Sequence, residues 1–266
     1  MLKAALTKFT LTNMEDIMSK EVGIFMMIVS FAYSQCDANN DGSLDVIDIV
    51  MQVDCILEDC WDQQPTDEVV FDDYIYAIVE IGDQTWFAEN LRTVHYSNGD
   101  PITNLAWDYS HGIDSEGYSD YDGDILYNYY AVEDERGICP DGWHVSTDDE
   151  WSQMLIYLGM DEDDTWNYGY GGTNEGGMLK AIDGWNQPNT GATNITGFSA
   201  LPEGSFSYCG MYPPTYCQSN KGYLGQFWTK NDDGSAWYRG LDWDRADVQH
   251  QLKDKWAGKS VRCIED

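Results

Sequence analysis

Asp37, Asn39, Asp41, Ser43, Asp45 and Asp48 place oxygen atoms at the intervals of a cation-binding loop. A hard divalent cation such as Ca2+ takes several oxygen ligands, and a twelve-residue loop supplies them at positions one, three, five, seven, nine and twelve. Asp37, Asn39 and Asp41 fill the first three, and Ser43 offers its backbone carbonyl at the fourth. Gly42 makes the sharp turn, Asp45 stands at position nine and Asp48 at position twelve. Leu44 is expected to point back to a small core. Ile49, Val50, Val53, Ile56 and Leu57 then recur at helical spacing, which predicts an exiting helix. The expected cofactor is Ca2+.

Other reactive residues are present at less telling intervals. His95, His111, His144 and His250 show no His-x-x-x-His spacing, so a catalytic zinc is not expected. His144 follows Trp143 in a helix-leading turn and reads as a structural hydrogen-bonding residue. No Gly-x-Ser-x-Gly elbow occurs, and carboxylates are too common to nominate a glycosidase pair. Seven cysteines without a Cys-x-x-Cys pair read as disulfides in an exported chain. Cys139 and Cys263 are expected to join, closing the domain from its middle to its end. Cys209 and Cys217 bracket Pro213-Pro214 and are expected to staple that loop, whereas the pairing among Cys36, Cys55 and Cys60 stays open.

Export is read from Val22–Phe31, an apolar run too short to span a bilayer, with Lys20 before it and Ala32-Tyr-Ser34 after it. Residues 1–34 are therefore expected to be a signal peptide, for which Met18 is a natural start. Cys36 suggests a lipid anchor only poorly, because Tyr33-Ser34-Gln35 is an unsuitable approach to a lipidated cysteine. The formal charge of −33 makes nucleic acid and anionic membranes poor partners. No later stretch has the length and apolarity of a membrane-spanning helix.

Residues 36–60 form the expected cation-binding module, 61–68 a polar linker and 69–266 the large domain. Tyr74–Phe87 predicts a hairpin turning at Gly82-Asp83, followed by a short edge element at Ala88–Arg92. Thr147 and Glu150 have capping-box spacing, with a helix through Trp151, Met154, Leu155 and Leu158. Further strands are expected at Phe198–Gly204, Phe227–Thr229, Ala236–Leu241 and Lys259–Cys263, with an ordered piece at Gly177–Ala181. One or two helices against short antiparallel strands, joined by long loops, is an α+β domain.

Two stretches carry family resemblances. The loop at Asp37–Asp48 resembles a type I dockerin repeat, which has Asp at position twelve. Dockerins use two repeats to grip a cohesin module; with one repeat here, the resemblance implies a calcium-stiffened spacer or docking tag. Ile81–Leu91, Leu126–Val132, Cys139–Val145, Gly197–Pro202, Phe227–Thr229 and Ser260–Cys263 are similar to the FISUMP domain, the Fibrobacter succinogenes major paralogous family. That resemblance implies a secreted or cell-surface bacterial module with a C-type-lectin-like fold, and its paired cysteines map to Cys139 and Cys263.

A lectin-like fold directs attention to sugar ligands. Gln187-Pro188-Asn189 and Asn231-Asp232-Asp233 are weakly similar to the two ligand stretches of calcium-dependent lectins, and Trp185 and Trp243 are candidate stacking rings. Asp242, Asp244 and Asp247 read as a solvated strand edge. The expected function is binding or adhesion to polysaccharide or a surface protein, without enzymatic activity. The alternative is an exported enzyme of lectin-like fold, either of the formylglycine-generating type or a polysaccharide-degrading accessory protein.

Overall fold

A computed structural model describes residues 68–105, 114–121, 123–211 and 214–266, with the side chains of 121 and 208–216 excepted. The expected signal peptide, the Asp37–Asp48 loop, its exiting helix and Cys36, Cys55 and Cys60 lie outside the described residues.

The described chain is mostly β. One sheet runs β1 (Glu68–Phe71), β2 (Tyr74–Ile81), β3 (Gln84–Phe87), β14 (Cys263–Glu265) and β6 (Trp143–Val145) in spatial order. A second runs β4 (Tyr118–Tyr121), β5 (Asp124–Asn128), β13 (Gly258–Lys259), β8 (Ser205–Met211) and β9 (Pro214–Ser219). The third runs β10 (Leu224–Thr229), β11 (Trp237–Asp242), β12 (Val248–Leu252) and β7 (Gly169–Gly171). Neighbouring strands pair antiparallel.

The β2–β3 hairpin turns where the sequence predicts, with Ile81 opposite Gln84 and Gly82 at φ 64°. That backbone conformation favours glycine because a Cβ is strained there. Alternation along the strands then sorts side chains to opposite faces. Trp86, Phe227, Leu241 and Ile264 enter one apolar core, whereas Phe87, Trp228, Tyr238 and Cys263 enter another. The first and third sheets therefore lie between two cores, while Leu126 and Phe206 of the second sheet join Leu105 in a third, smaller cluster.

Helices are short: α1 (Tyr129–Glu133), α2 (Asp148–Tyr157), α3 (Glu162–Thr165) and α4 (Glu175–Leu179). In α2 the capping box is complete. The Thr147 hydroxyl accepts from the Glu150 amide, and the Glu150 carboxylate accepts from the Thr147 amide at 2.7 Å. Trp151 on α2 meets Trp86 and Phe198 edge-on at 5.6 and 5.4 Å. The strand expected over Lys259–Cys263 is two pieces, because its middle bonds to different neighbours. Ser260 accepts from Trp228, Val261 from Leu91 and Arg262 from Ser146, so the closing residues join all three sheets.

The expected strand at Phe198–Gly204 is absent. Ser199 has φ 51°, and the Arg262 guanidinium takes the carbonyls of Phe198 and Ser199 that a strand partner would need. Only single bridges remain, Ala200 to Lys180 and Gly204 to Gly225. Ala88–Arg92 is likewise irregular. Its groups turn inward, with the Leu91 amide on Val261 and the Asn90 side chain on Ser260 and Arg262.

Cys139 and Cys263 form the expected disulfide, with Cα atoms 5.9 Å apart. Cys217 is also disulfide-bonded, and the side chain of Cys209 lies outside those described.

Candidate ligand-binding site

The most unusual organising group beyond the cores is Lys180. It follows α4 directly and its side chain is fully buried. Its ammonium donates to the carbonyls of Thr190, Asp242 and Arg245, each at 2.8 Å. The Trp185 ring lies 5.2 Å away. Burial pushes the ammonium down to about 8, against the opposing pull of Asp242, Asp244 and Asp247. Carbonyl oxygens converging on one buried cation are what a bound metal would otherwise receive. Here a lysine supplies the charge and pins two loops to one point.

Those loops are further tied. The Thr190 amide donates to the Trp243 carbonyl at 2.9 Å, and Asn189 donates its side-chain amide to the Ala181 and Ile182 carbonyls. A Cβ on Gly177 would collide with the Gly191 backbone, so glycine there permits the loop to lie directly on α4.

On the outer side, Tyr170 donates its hydroxyl to Asp242 at 2.7 Å, and Arg245 lies 4.0 Å over its ring. Arg245 also pairs with Asp247. Tyr223 and Trp243 meet edge-on at 5.5 Å. Tyr170 and Tyr223 are exposed and Trp243 is half-buried.

Several candidates from the sequence fall elsewhere. Asn189 faces inward beside the Trp243 end of β11, whereas Asn231–Asp233 form the turn preceding β11. The two lectin-like stretches thus sit at opposite ends of one strand and are not brought together. Trp185 is not an available stacking ring, because it is buried and donates its indole N–H to the Ala200 carbonyl at 2.9 Å. Asp242 and Asp247 belong to the candidate surface, where they hold Tyr170 and Arg245. Among the described residues no group of three or more His, Cys, Asp or Glu is placed to hold a metal ion.

Residues 79–265 match the Fibrobacter succinogenes major domain. The chain belongs to that family. No curated protein and no solved structure matches it. In this Fibrobacter succinogenes major domain, both disulfide half-cystines and the whole loop surface fall within the matched residues.

Two polar networks stabilise the domain around α2. Asp148 at its first position accepts from the Arg239 Nε at 2.9 Å and contacts the His250 Nε2 at 3.1 Å, all three being buried. Burial alone would raise the Asp148 carboxyl, but His250 and Arg239 hold it below its ordinary value. His144 bridges Glu150 and Asp266, each at 2.7 Å, as its structural reading anticipates. The bond to Glu150, with that to Asp266, raises the imidazole above its ordinary value.

Sequence reasoning missed Lys180, Tyr170, Tyr223 and Arg245. Only Lys180 leaves a signal, a lone cation inside the otherwise apolar and glycine-rich Gly176–Ile182.

Proposed function

We propose that this chain is a secreted or cell-surface binding module that contacts polysaccharide through the aromatic pair Tyr223 and Trp243. The observation that carries this reading is the rigid presentation of that pair. Two loops are fastened to one buried ammonium, and one of them carries Trp243, which lies beside Asp242 and Arg245 in the chain and meets the exposed Tyr223 edge-on. Aromatic faces suit the apolar face of a sugar ring, and charged edges suit its hydroxyls. The surface acts as a binding site without enzymatic chemistry. The oxidised state of Cys217 and Cys263 supports binding over thiol chemistry of the formylglycine-generating type. The large domain is C-type-lectin-like, and the Asp37–Asp48 loop is a dockerin-like Ca2+ site that stiffens or tethers the module.

The test is retention of the intact chain on insoluble polysaccharides and soluble glycans, with calcium and then with chelator. Retention should survive chelator, because Lys180 organises the loops without a dissolved metal, and it should fall in Tyr223→Ala. Absence of retention on every glycan, or retention unchanged in Tyr223→Ala and Asp242→Asn, refutes the reading.

A further inference from the structure

We propose that Gln249 and Gln251 on β12, flanked by Tyr170 and Asp242, form a hydrogen-bonding platform for the hydroxyls of an uncharged glycan. This rests on the polysaccharide-binding reading and adds a second contact to it. Leu241 and Trp243 belong to the opposite face of the third sheet, against the core that holds Phe227.

The register of that sheet places Tyr170, Gln249, Gly240 and Gln226 directly opposite one another on β7, β12, β11 and β10. Residues so opposed point to the same face. Gln251, Tyr238 and Trp228 form the neighbouring row, and Asp242 shares the face two residues beyond Gly240. The first row climbs from buried Gln226 and Gly240 to half-buried Gln249 and exposed Tyr170. The β12 and β7 end of the face thus emerges from the core that holds Trp228 and Tyr238. Gln249 and Gln251 are roughly 7 Å apart along the strand, enough to reach hydroxyls on neighbouring sugar rings.

The carboxamides are fixed in advance. The Tyr238 hydroxyl lies 3.2 Å from the Gln249 side-chain oxygen and 3.0 Å from that of Gln251. With their oxygens on that hydroxyl, both side chains turn their NH2 groups away from it. Among the described residues neither NH2 group has a hydrogen-bond partner. A Cβ at Gly240 would meet the Gln249 oxygen at 2.8 Å and its Cβ at 3.2 Å, so the glycine is what lets Gln249 lie across β11. Beside them Tyr170 donates to Asp242 at 2.7 Å. Groups restrained before binding lose little conformational entropy when the ligand arrives.

The chemistry of these groups selects the ligand. A carboxamide donates and accepts without charge, as a sugar hydroxyl does. Arg245 lies 4.0 Å over the Tyr170 ring and is already paired with Asp247. Asp242 therefore leaves the platform with an excess of negative charge, which repels a uronate or sulfated polymer and spares a neutral one.

The test is isothermal titration of the intact chain with neutral gluco-, manno- and xylo-hexasaccharides and with their fully O-methylated forms. Polygalacturonate serves as the anionic comparison. At least one neutral hexasaccharide should bind, and O-methylation, which removes the hydroxyl protons, should abolish that binding to the unmodified protein. Gln249→Ala and Gln251→Ala should each weaken it about threefold to tenfold, the scale of one neutral hydrogen bond, with thermal melts reporting the folding of each variant. If either variant binds as the parent does while Tyr223→Ala loses affinity, the platform is wrong and the binding reading stands. If the intact chain binds no glycan, both fail. Binding that survives O-methylation, tighter binding of polygalacturonate, or a dimer that Gln249→Ala dissociates in sedimentation also overturns the platform.

Discussion

Replacing Cys139 and Cys263 together with alanine tests how far the closing residues depend on a covalent tie. The bridge spans 124 residues, more than half of the described domain. In the chain-entropy account, a loop of that length restricts the unfolded chain by about 5 kcal/mol at 25 °C. A domain of ordinary stability holds only about 5–15 kcal/mol, so the loss is a third of the total or more. Both half-cystines are buried, Cys263 between β3 and β6, so the alanines also remove some packing. Urea unfolding of the oxidised chain and the double-alanine variant, followed by tryptophan fluorescence, reads the difference. With a denaturant slope of about 1–3 kcal/mol per molar, the midpoint should fall by roughly 2 M or more. The Cys217 disulfide stays intact in both samples, so general reduction does not confuse the comparison. A fall corresponding to less than about 1 kcal/mol refutes the reasoning, because it means the unfolded chain is already restricted without the bridge.

Two further predictions concern the networks around α2. His144 has a folded-state pKa above its ordinary 6.5, so its contribution is complete below that value and is lost as pH rises through the raised one. Unfolding midpoints of the parent should therefore drop as pH rises above 6.5 through the raised value, and His144→Gln should lack that drop; parallel profiles refute the assignment. Asp148→Asn leaves the buried Arg239 without its carboxylate and should cost about 3–5 kcal/mol in denaturant unfolding, whereas a loss under 1 kcal/mol refutes the pairing. Because the Asp148 carboxyl is held below its ordinary 3.8, its stabilisation is present above that value and is lost as pH falls through the depressed one.

The parts of the fold legible in the sequence are those with local causes. The hairpin follows from Gly82-Asp83 between alternating apolar residues, and α2 follows from Thr147 and Glu150 three positions apart. Phe198–Gly204 reads as a strand because its composition suits one, yet a guanidinium more than sixty positions away, on Arg262, claims its carbonyls. The candidate surface shows the same division. Asp242, Trp243 and Asp247 stand out in sequence as an acidic, aromatic edge, but nothing local joins them to Tyr170 or Tyr223. Lys180 collects carbonyls from Thr190, Asp242 and Arg245, and no periodicity encodes that convergence. Trp185 and Trp243 look alike in sequence, yet Trp185 is buried with its indole N–H on the Ala200 carbonyl while Trp243 packs half-buried at the margin of the same core.

Lys180 is one of four buried cations among the described residues, and together they show how so acidic a chain arranges its interior. Lys259 donates to Gln226 at 2.7 Å beneath the Tyr238 ring, and burial pushes its ammonium well below the ordinary value. Arg262 meets the Asn90 side chain and the carbonyls of Phe87, Phe198 and Ser199, and burial pushes it down to about 9. Only Arg239 contacts a carboxylate directly. These cations bind neutral oxygens at junctions between loops and sheets, where a smaller apolar side chain would leave several carbonyls unpaired. Among the described residues these four cations share the interior with three buried acids, Asp148, Glu175 and Glu203, so burial removes nearly as many negative as positive charges. The exterior therefore carries close to the whole formal charge of −33, which disfavours polyanionic ligands. Lys180 already satisfies the Thr190, Asp242 and Arg245 carbonyls, oxygens that a dissolved cation would otherwise be needed to gather. On the proposed reading chelation acts through Asp37–Asp48 alone, and any glycan retention that chelation abolishes in a chain lacking those residues would refute the idea that Lys180 takes the place of a metal.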